Sequence, residues 1–154
     1  MATYNVTGAT LTSGVPTHEQ SPLAGVGKVY VLKQTVDLTG DAIVDDDIYR
    51  CLCIPEDTMV LQVKVKIVTA AVGTSLAMDV GDGDGANSWD DAIDAKATAD
   101  TWTTSIVGTD AYAVCANLGK FYETADTIDV VMEAASSITA GPSFTIYALC
   151  VDYN

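Results

Sequence analysis

The chain has 154 residues, a usual size for one domain, and 49% of them are hydrophobic, which excludes a disordered chain. With 21 acidic residues against 7 basic ones, the formal net charge is −14, which disfavours nucleic acid and anionic membranes as partners. Three interpretations of this charge stay open. They are a generally solvated acidic surface, a basic protein partner, and divalent cations.

The first 27 residues differ in composition from the rest. Thr, Ser, Gly and Pro dominate them, and Pro16 and Pro22 would interrupt any ladder of backbone hydrogen bonds. The start of the chain has neither the basic nor the apolar segment of a secretory signal, and no apolar run reaches the roughly 20 residues that span a bilayer. We therefore predict an extended arm over residues 1–27, either disordered or lying across a neighbour.

From Lys28 onward, the sequence predicts strands and no clear helix. The clearest strand is Met59–Val68, in which apolar and polar side chains alternate with the period of two that a half-buried strand requires. Its inward set is Leu61, Val63, Val65 and Ile67, and its outward set is Gln62, Lys64 and Lys66. Eight strand-like segments follow one another in all: 28–36, 47–54, 59–68, 75–80, 101–107, 111–118, 127–134 and 143–152.

Residues 81–100 interrupt this series. They are dense in Gly, Asp and Asn, and we predict a long loop there, with a short helix over 90–99 as the alternative. Strands without alternating helices favour an antiparallel β-sandwich or barrel. The predicted fold is all-β, an antiparallel β-sandwich that forms an eight-stranded jelly roll over residues 28–154, preceded by the extended N-terminal arm.

Residues that could support catalysis are sparse. The only histidine, His18, lies in the predicted arm, so the β domain offers no imidazole to activate a nucleophile. Glycoside hydrolysis by paired carboxylates would need sugar-stacking aromatics, for which Trp89 and Trp102 are the candidates. We predict that the chain is not an enzyme and that it has no catalytic, cofactor-binding or metal-binding residues.

The cysteines are interpreted as reduced thiols in the core, with two disulfides as the alternative. Cys51 and Cys53 are two residues apart in a predicted strand, so we expect them to share one face. A Cys-x-Cys pair lacks the usual spacing of zinc ligands, and His18 is far away in sequence. The four cysteines are at positions 51, 53, 115 and 150.

The stretch from Gly81 to Asp91 offers a possible calcium loop, because carboxylates on a Gly-rich loop can supply the oxygens that calcium prefers. Aligned with an EF-hand loop, Asp82 and Asp84 fall at ligand positions, but Val80 occupies the first position and the final Glu is missing. The stretch is therefore not an EF-hand. A tight turn, in which Gly supplies positive φ and Asp accepts from its own backbone, and a calcium site of another kind stay open.

Three successive acids, Asp45–Asp47, precede the strand that carries Cys51 and Cys53. A charge run of this kind is typical of a solvated loop. Docking against a basic partner is the alternative interpretation.

Five short motifs lie between residue 58 and the end of the chain: LAMDVGDG at 76–83, WDDA at 89–92, GKFY at 119–122, ADTI at 125–128 and YALCVDY at 147–153. As a set they resemble the small capsid decoration (cement) proteins of tailed bacteriophages. The resemblance implies a β-sandwich, often trimeric, that sits on the outside of the virion head and binds the major capsid protein. It also implies assembly in the host bacterial cytoplasm, where thiols stay reduced, and it brings no catalytic residues.

A lectin-like β-sandwich of a phage fibre is the alternative hypothesis. It would present Trp89, Trp102 and the Asp82–Asp84 loop to a host glycan, with or without calcium. By base rates a homo-oligomer would be a dimer, and the trimer is expected from the resemblance alone.

Overall fold

A computed structural model describes residues 3–5, 28–73, 75–102, 119–134 and 138–152 of the chain. Within these ranges the protein consists of strands, and no helix occurs there that is long and apolar enough to cross a membrane. The strands are β1 (Thr3–Asn5), β2 (Lys28–Asp37), β3 (Asp47–Ile54), β4 (Thr58–Thr69), β5 (Ala77–Asp82), β6 (Gly85–Asp94), β7 (Lys120–Tyr122), β8 (Asp126–Glu133) and β9 (Ser143–Asp152).

The strands form two sheets. One has five strands in the order β1-β3-β8-β5-β6, and the other has four in the order β2-β9-β4-β7. All neighbours are antiparallel except β1, which lies parallel to β3 with Thr3 opposite Ile48. Buried apolar residues of both sheets form one continuous core. The all-β fold with two antiparallel sheets is confirmed.

The strand order also supports the jelly roll, which stays a prediction. β2 lies beside β9, β3 beside β8, β4 beside β7, and β5 beside β6. This is the order of a long antiparallel ribbon that rolls up so that successive strand pairs fall alternately in the two sheets. Nine strands are described, because β1 adds to the edge beside β3.

Alternation along β4 explains how it separates core from surface. Val63, Val65 and Ile67 are buried, while Lys64 and Lys66 point away from the core, as the sequence predicts. The predicted inward position of Leu61 is wrong. A bulge between Val60 and Gln62 shifts the register against β9, so Val60 enters the core in its place.

The long loop predicted over residues 81–100 is wrong over 81–94, whereas residues 95–100 are turns and irregular structure, as predicted. The helix alternative over 90–99 is wrong. β5 continues to Asp82 and β6 runs from Gly85 to Asp94. β6 is poor in β-branched residues, but it pairs with β5 through two irregularities and buries Trp89 and Ile93. Backbone pairing and the burial of two large side chains outweigh local propensity here.

Other predicted strands agree with the structure in part. The predicted strand at 143–152 is β9, and the strands at 75–80 and 127–134 correspond to β5 and β8 with shifts of one or two residues. Of the predicted strands at 101–107 and 111–118, the described part is Thr101 and Trp102, and Trp102 forms an isolated bridge with Lys66. Residues 103–118, which include Cys115, lie outside the described residues, as do residues 6–27 of the predicted arm with His18. The boundary at residue 28 stays a prediction.

Candidate functional site

Charged and polar side chains meet at the end of the β5–β6 hairpin. The Asp82 carboxylate, whose side chain is fully buried, accepts hydrogen bonds at Oδ2 from Tyr122 (2.6 Å) and from Lys120 (2.8 Å). Lys120 Nζ also lies 2.7 Å from Asp84 Oδ2. Trp89 Nε1 donates to the Tyr122 hydroxyl at 3.1 Å. We call Asp82, Asp84, Lys120, Tyr122 and Trp89 the hairpin clamp, because they join β5 and β6 to β7.

The backbone around the clamp explains why these residues meet. Gly119 has φ of +88°, and a Cβ atom there would lie 2.4 Å from the Val60 carbonyl oxygen. A glycine therefore allows the chain to enter β7 close against β4. Lys120 and Tyr122 are two residues apart on β7, so both point to the same side, where Asp82 lies.

Electrostatic interactions keep Asp82 and Lys120 of the hairpin clamp charged. Burial of the Asp82 carboxyl raises its pKa, but hydrogen bonds from Lys120 and Tyr122 outweigh that effect, so its pKa lies below the usual value. Burial lowers the pKa of Lys120, but the two carboxylates more than compensate and the pKa is raised. Burial and the contact with Asp82 raise the pKa of Tyr122, which therefore stays a neutral donor. The cluster is a charged, hydrogen-bonded structural joint.

The connection is a two-residue turn, as the tight-turn interpretation predicts, but none of the glycines from Gly81 to Gly85 has the positive φ that it expected. Gly83 and Asp84 connect β5 to β6, and the Asp84 N–H donates to Asp82 Oδ1 at 3.1 Å. The two carboxylates proposed as calcium ligands both face the Lys120 ammonium instead. Within the described ranges, no group of three or more His, Cys, Asp or Glu side chains is placed to hold a metal ion.

The two tryptophans lie in different environments. Trp89 is 2% exposed and belongs to the core, so it cannot stack against a sugar. Trp102 is 49% exposed and lies against Tyr147, with the ring centroids 5.3 Å apart. The pair of aromatic platforms that a glycan site would need is not brought together.

The described cysteines are free thiols. Cys51 and Cys150 lie in the core as predicted, and burial raises the pKa of both, to about 12 for Cys150. The expectation that Cys51 and Cys53 share a face is wrong. A bulge between Arg50 and Leu52 reverses the alternation, so Cys53 points outward with Arg50.

The three acids before β3 also differ from one another. Asp45 and Asp46 are exposed, as a solvated loop predicts, and Asp45 Oδ1 accepts a hydrogen bond from the Ala134 N–H at 3.0 Å. Asp47 is buried at the start of β3, where its Oδ2 accepts from the Val44 N–H at 3.2 Å. The Asp47 carboxylate therefore shapes the turn and is not available for docking.

A shallow cavity of about 410 Å³ lies on the outer face of the five-stranded sheet. Arg50, Cys53, Asp126 and Asp129 are among its lining residues. Asp129 lies directly opposite Arg50 in the β3–β8 register, and its Oδ1 is a buried atom without a hydrogen-bond partner. Burial raises the pKa of Asp129 despite the nearby Thr127 and Arg50. Sequence reasoning missed this cavity, because the bulge at Cys51 that places Cys53 beside Arg50 has no sequence signal.

Carboxyl groups crowd the same outer face beyond the cavity. The nearby Asp79 carboxylate raises the pKa of Glu133. Burial raises the pKa of Asp79, and Asp91 adds to that shift. Asp79 Oδ1 accepts a hydrogen bond from the Ala92 N–H at 2.8 Å, which fixes the carboxyl beside the irregular part of β6.

The outer face of the four-stranded sheet has the opposite character. Lys33 and Lys64 lie on either side of Tyr147 in the register of β2, β9 and β4. Lys33 Nζ is 5.5 Å from the Tyr147 ring centroid, and Lys66 Nζ is 5.6 Å from that of Trp102. We call Lys33, Lys64, Lys66, Tyr147 and Trp102 the lysine–aromatic face.

Comparison with known proteins gives structural neighbours alone. No protein-family model and no curated protein matches the chain. Three solved structures are similar in fold. A chain of the capsid of Ralstonia phage GP4 is 14% identical with a TM-score of 0.67, and the match covers 99% of both chains. A chain of the acidic stable capsid of Helicobacter pylori bacteriophage KHP30 is 16% identical with a TM-score of 0.57, covering 82% of this chain and 90% of that one.

The third neighbour is a chain of the capsid asymmetric unit of cyanophage Pam1. It is 17% identical with a TM-score of 0.53, covering 93% of this chain and 98% of that one. At these identities the likeness shows a shared fold. The chain thus has the all-β fold of chains found in phage capsids.

Proposed function

We propose that the chain is a structural protein of a bacteriophage virion, and specifically a head decoration (cement) protein. It would bind the outside of the shell and stabilise contacts between major capsid subunits. The observation that carries this proposal is the fold match over 99% of both chains to a component of the GP4 capsid. Because both chains are covered almost entirely, that component has nearly the same length and has this fold alone.

Two further observations support a small accessory component. The motif set between residues 76 and 153 resembles decoration proteins specifically, and it includes residues of the hairpin clamp, such as Asp82 and Lys120. The clamp uses its charged groups to hold strands together, so they are not free for a reaction. We therefore include the absence of catalysis in the proposal, with the major capsid protein as partner and a homotrimer as the assembly.

The N-terminal residues fit the same role. Thr3–Asn5 form β1 and extend the edge of the five-stranded sheet beside β3. An arm that adds a strand to a sheet edge buries backbone groups that an isolated edge leaves unpaired. We propose that residues 1–27 are an arm of this kind and that residues 28–154 form the sandwich domain.

The test is reconstitution on heads of the parent phage assembled without this protein. Purified full-length chain is mixed with such heads, pelleted with them, and counted per particle. We expect saturable binding, together with a rise in the temperature at which the heads release DNA. Heads that pellet without the chain and melt at an unchanged temperature would refute the decoration role.

The exposed Trp102 beside Tyr147 favours one alternative, a glycan-binding protein of the virion. A glycan array probed with and without chelator separates the two functions. Specific glycan binding together with failure to bind heads would favour the alternative. Loss of the glycan-array signal on chelation would show that the binding depends on calcium.

A further inference from the structure

The lysine–aromatic face concentrates positive charge in an acidic protein. The chain has 7 basic residues, and Lys33, Lys64 and Lys66 lie on this one face. In the β2–β9–β4 register, Tyr147 separates Lys33 from Lys64, so each lysine is one strand, about 4.8 Å, from the tyrosine. The three lysines therefore lie on one face of the sheet, which we call the basic patch.

Few carboxylates neutralise this patch. Lys66 Nζ lies 2.5 Å from Asp100 Oδ1, and the Asp100 side chain is 80% exposed, so the pair is a solvent-screened surface contact. Lys33 and Lys66 lie over the rings of Tyr147 and Trp102. These contacts hold the lysine stems near the sheet while the charges stay accessible.

Apolar side chains continue the same face towards the other end of the sheet. Val29 is 65% exposed and Val31 is 55% exposed. By the strand alternation, both lie on the same side of β2 as Lys33. Their cross-strand neighbours on β9 are Val151 and Leu149. Exposed apolar residues that adjoin charges and aromatic rings mark interaction surfaces, because burial against a partner removes them from water.

The opposite outer face of the sandwich is acidic. Asp79, Asp129 and Glu133 lie on the side of β5 and β8 away from the core, with Asp79 itself buried. Arg50 lies opposite Asp129 in the register. The Asp79 carboxylate raises the pKa of Glu133, so these two carboxyl groups repel each other. A negative partner surface can therefore approach the lysine–aromatic face and is repelled from the acidic one.

We propose that the lysine–aromatic face is the surface on which this protein sits, and that its partner there is an acidic protein surface of the phage shell. Carboxylates of the shell would meet Lys33, Lys64 and Lys66, and apolar contacts would cover Val29 and Val31. This inference rests on the proposed decoration function. It differs from the basic partner that net charge alone suggests, because the positive charge is local.

The experiment compares two double charge reversals in the full-length chain. The double variant Lys33→Glu with Lys64→Glu, called the seat variant, reverses two charges of the lysine–aromatic face. The double variant Arg50→Glu with Lys96→Glu is the matched control, because each pair lowers the net charge by the same amount. Binding to undecorated heads is measured by co-sedimentation over a range of protein and salt concentrations. Circular dichroism and thermal unfolding establish that both variants fold.

We expect the seat variant to require about tenfold more protein for half-saturation, or more, and the control to stay within about twofold of the parent chain. Equal loss in both variants would assign the effect to net charge, and equal binding by all three proteins would exclude the face. Either result overturns the inference and leaves the decoration role intact. If the parent chain itself does not bind, the proposed function fails instead.

A second copy of the chain is the competing occupant, since it presents an acidic face of its own. Sedimentation velocity on the same proteins decides this point. If the seat variant loses self-association but binds heads like the parent chain, the face joins copies of the protein, and the shell assignment is wrong.

Discussion

The hairpin clamp and the lysine–aromatic face place the same residue type in opposite settings. Lys120 is mostly buried and bonded to two carboxylates, whereas Lys33 is exposed beside a tyrosine ring. Burial makes the first lysine part of the fold, because a charge removed from water requires its partners. Exposure leaves the second available to another molecule. The net charge of the chain does not distinguish the buried lysine from the exposed one.

The largest expected effect is a loss of stability on breaking the hairpin clamp. Lys120→Met should destabilise the protein by about 3–5 kcal/mol, because it leaves the buried Asp82 carboxylate without its counter-ion. Urea denaturation at neutral pH measures the free energy of unfolding. Lys64→Met is the matched control and should change it by no more than about 0.5 kcal/mol. Equal losses in the two variants would contradict the comparison.

A double variant sharpens the same point. Asp82→Asn combined with Lys120→Met removes both charges, so we expect it to be more stable than Lys120→Met alone. The double-mutant cycle by denaturation reports the coupling between the two side chains. A strictly additive cycle would show that the 2.8 Å contact does not stabilise the fold.

A smaller effect is expected at the clamp's hydroxyl group. Tyr122→Phe removes the donor 2.6 Å from Asp82 Oδ2 and should cost about 1–3 kcal/mol, since the carboxylate is buried. Tyr147→Phe, on the lysine–aromatic face, is the control and should be close to neutral. Thermal unfolding of both variants measures the difference, and a neutral Tyr122→Phe would refute the role of this bond.

The smallest expected effect concerns pH. The folded-state pKa values of Asp79 and Glu133 are raised, so their contribution to stability is present at low pH and is lost as the pH rises through those values. Asp82 acts in the opposite sense, because its pKa is lowered and its contribution is lost as the pH falls. Glu133→Gln should therefore stabilise the protein slightly at pH 7, by at most about 0.5 kcal/mol because the group is exposed.

Denaturation of that variant and of the parent chain at pH 7 and at pH 4 provides the measurement. The advantage of the variant should shrink at the lower pH, where the parent's Glu133 takes up a proton. An advantage of the same size at both pH values would show that carboxylate repulsion is not its cause.

Several features of the fold could be predicted because they are local. Alternating β-branched and polar residues identify β4, and that alternation also places Lys64 and Lys66 on the outer face. A run of β-branched, aromatic and other apolar residues identifies β9. β6 could not be predicted, since its residues favour turns and its strand depends on pairing with β5. Lys120 and Tyr122 were missed for a similar reason. They lie 38 and 40 residues from Asp82, and no periodic pattern connects them.

The sequence by itself therefore determines that the chain is an acidic, all-β protein, because strand period and composition are properties of neighbouring residues. The tertiary structure decides which charges are buried and which stay exposed on a face of the sandwich. Two bulges move Cys53 outward and Val60 inward, and sheet order brings Lys33 and Lys64 to one face. Those outcomes depend on pairing between distant strands, which no local pattern encodes.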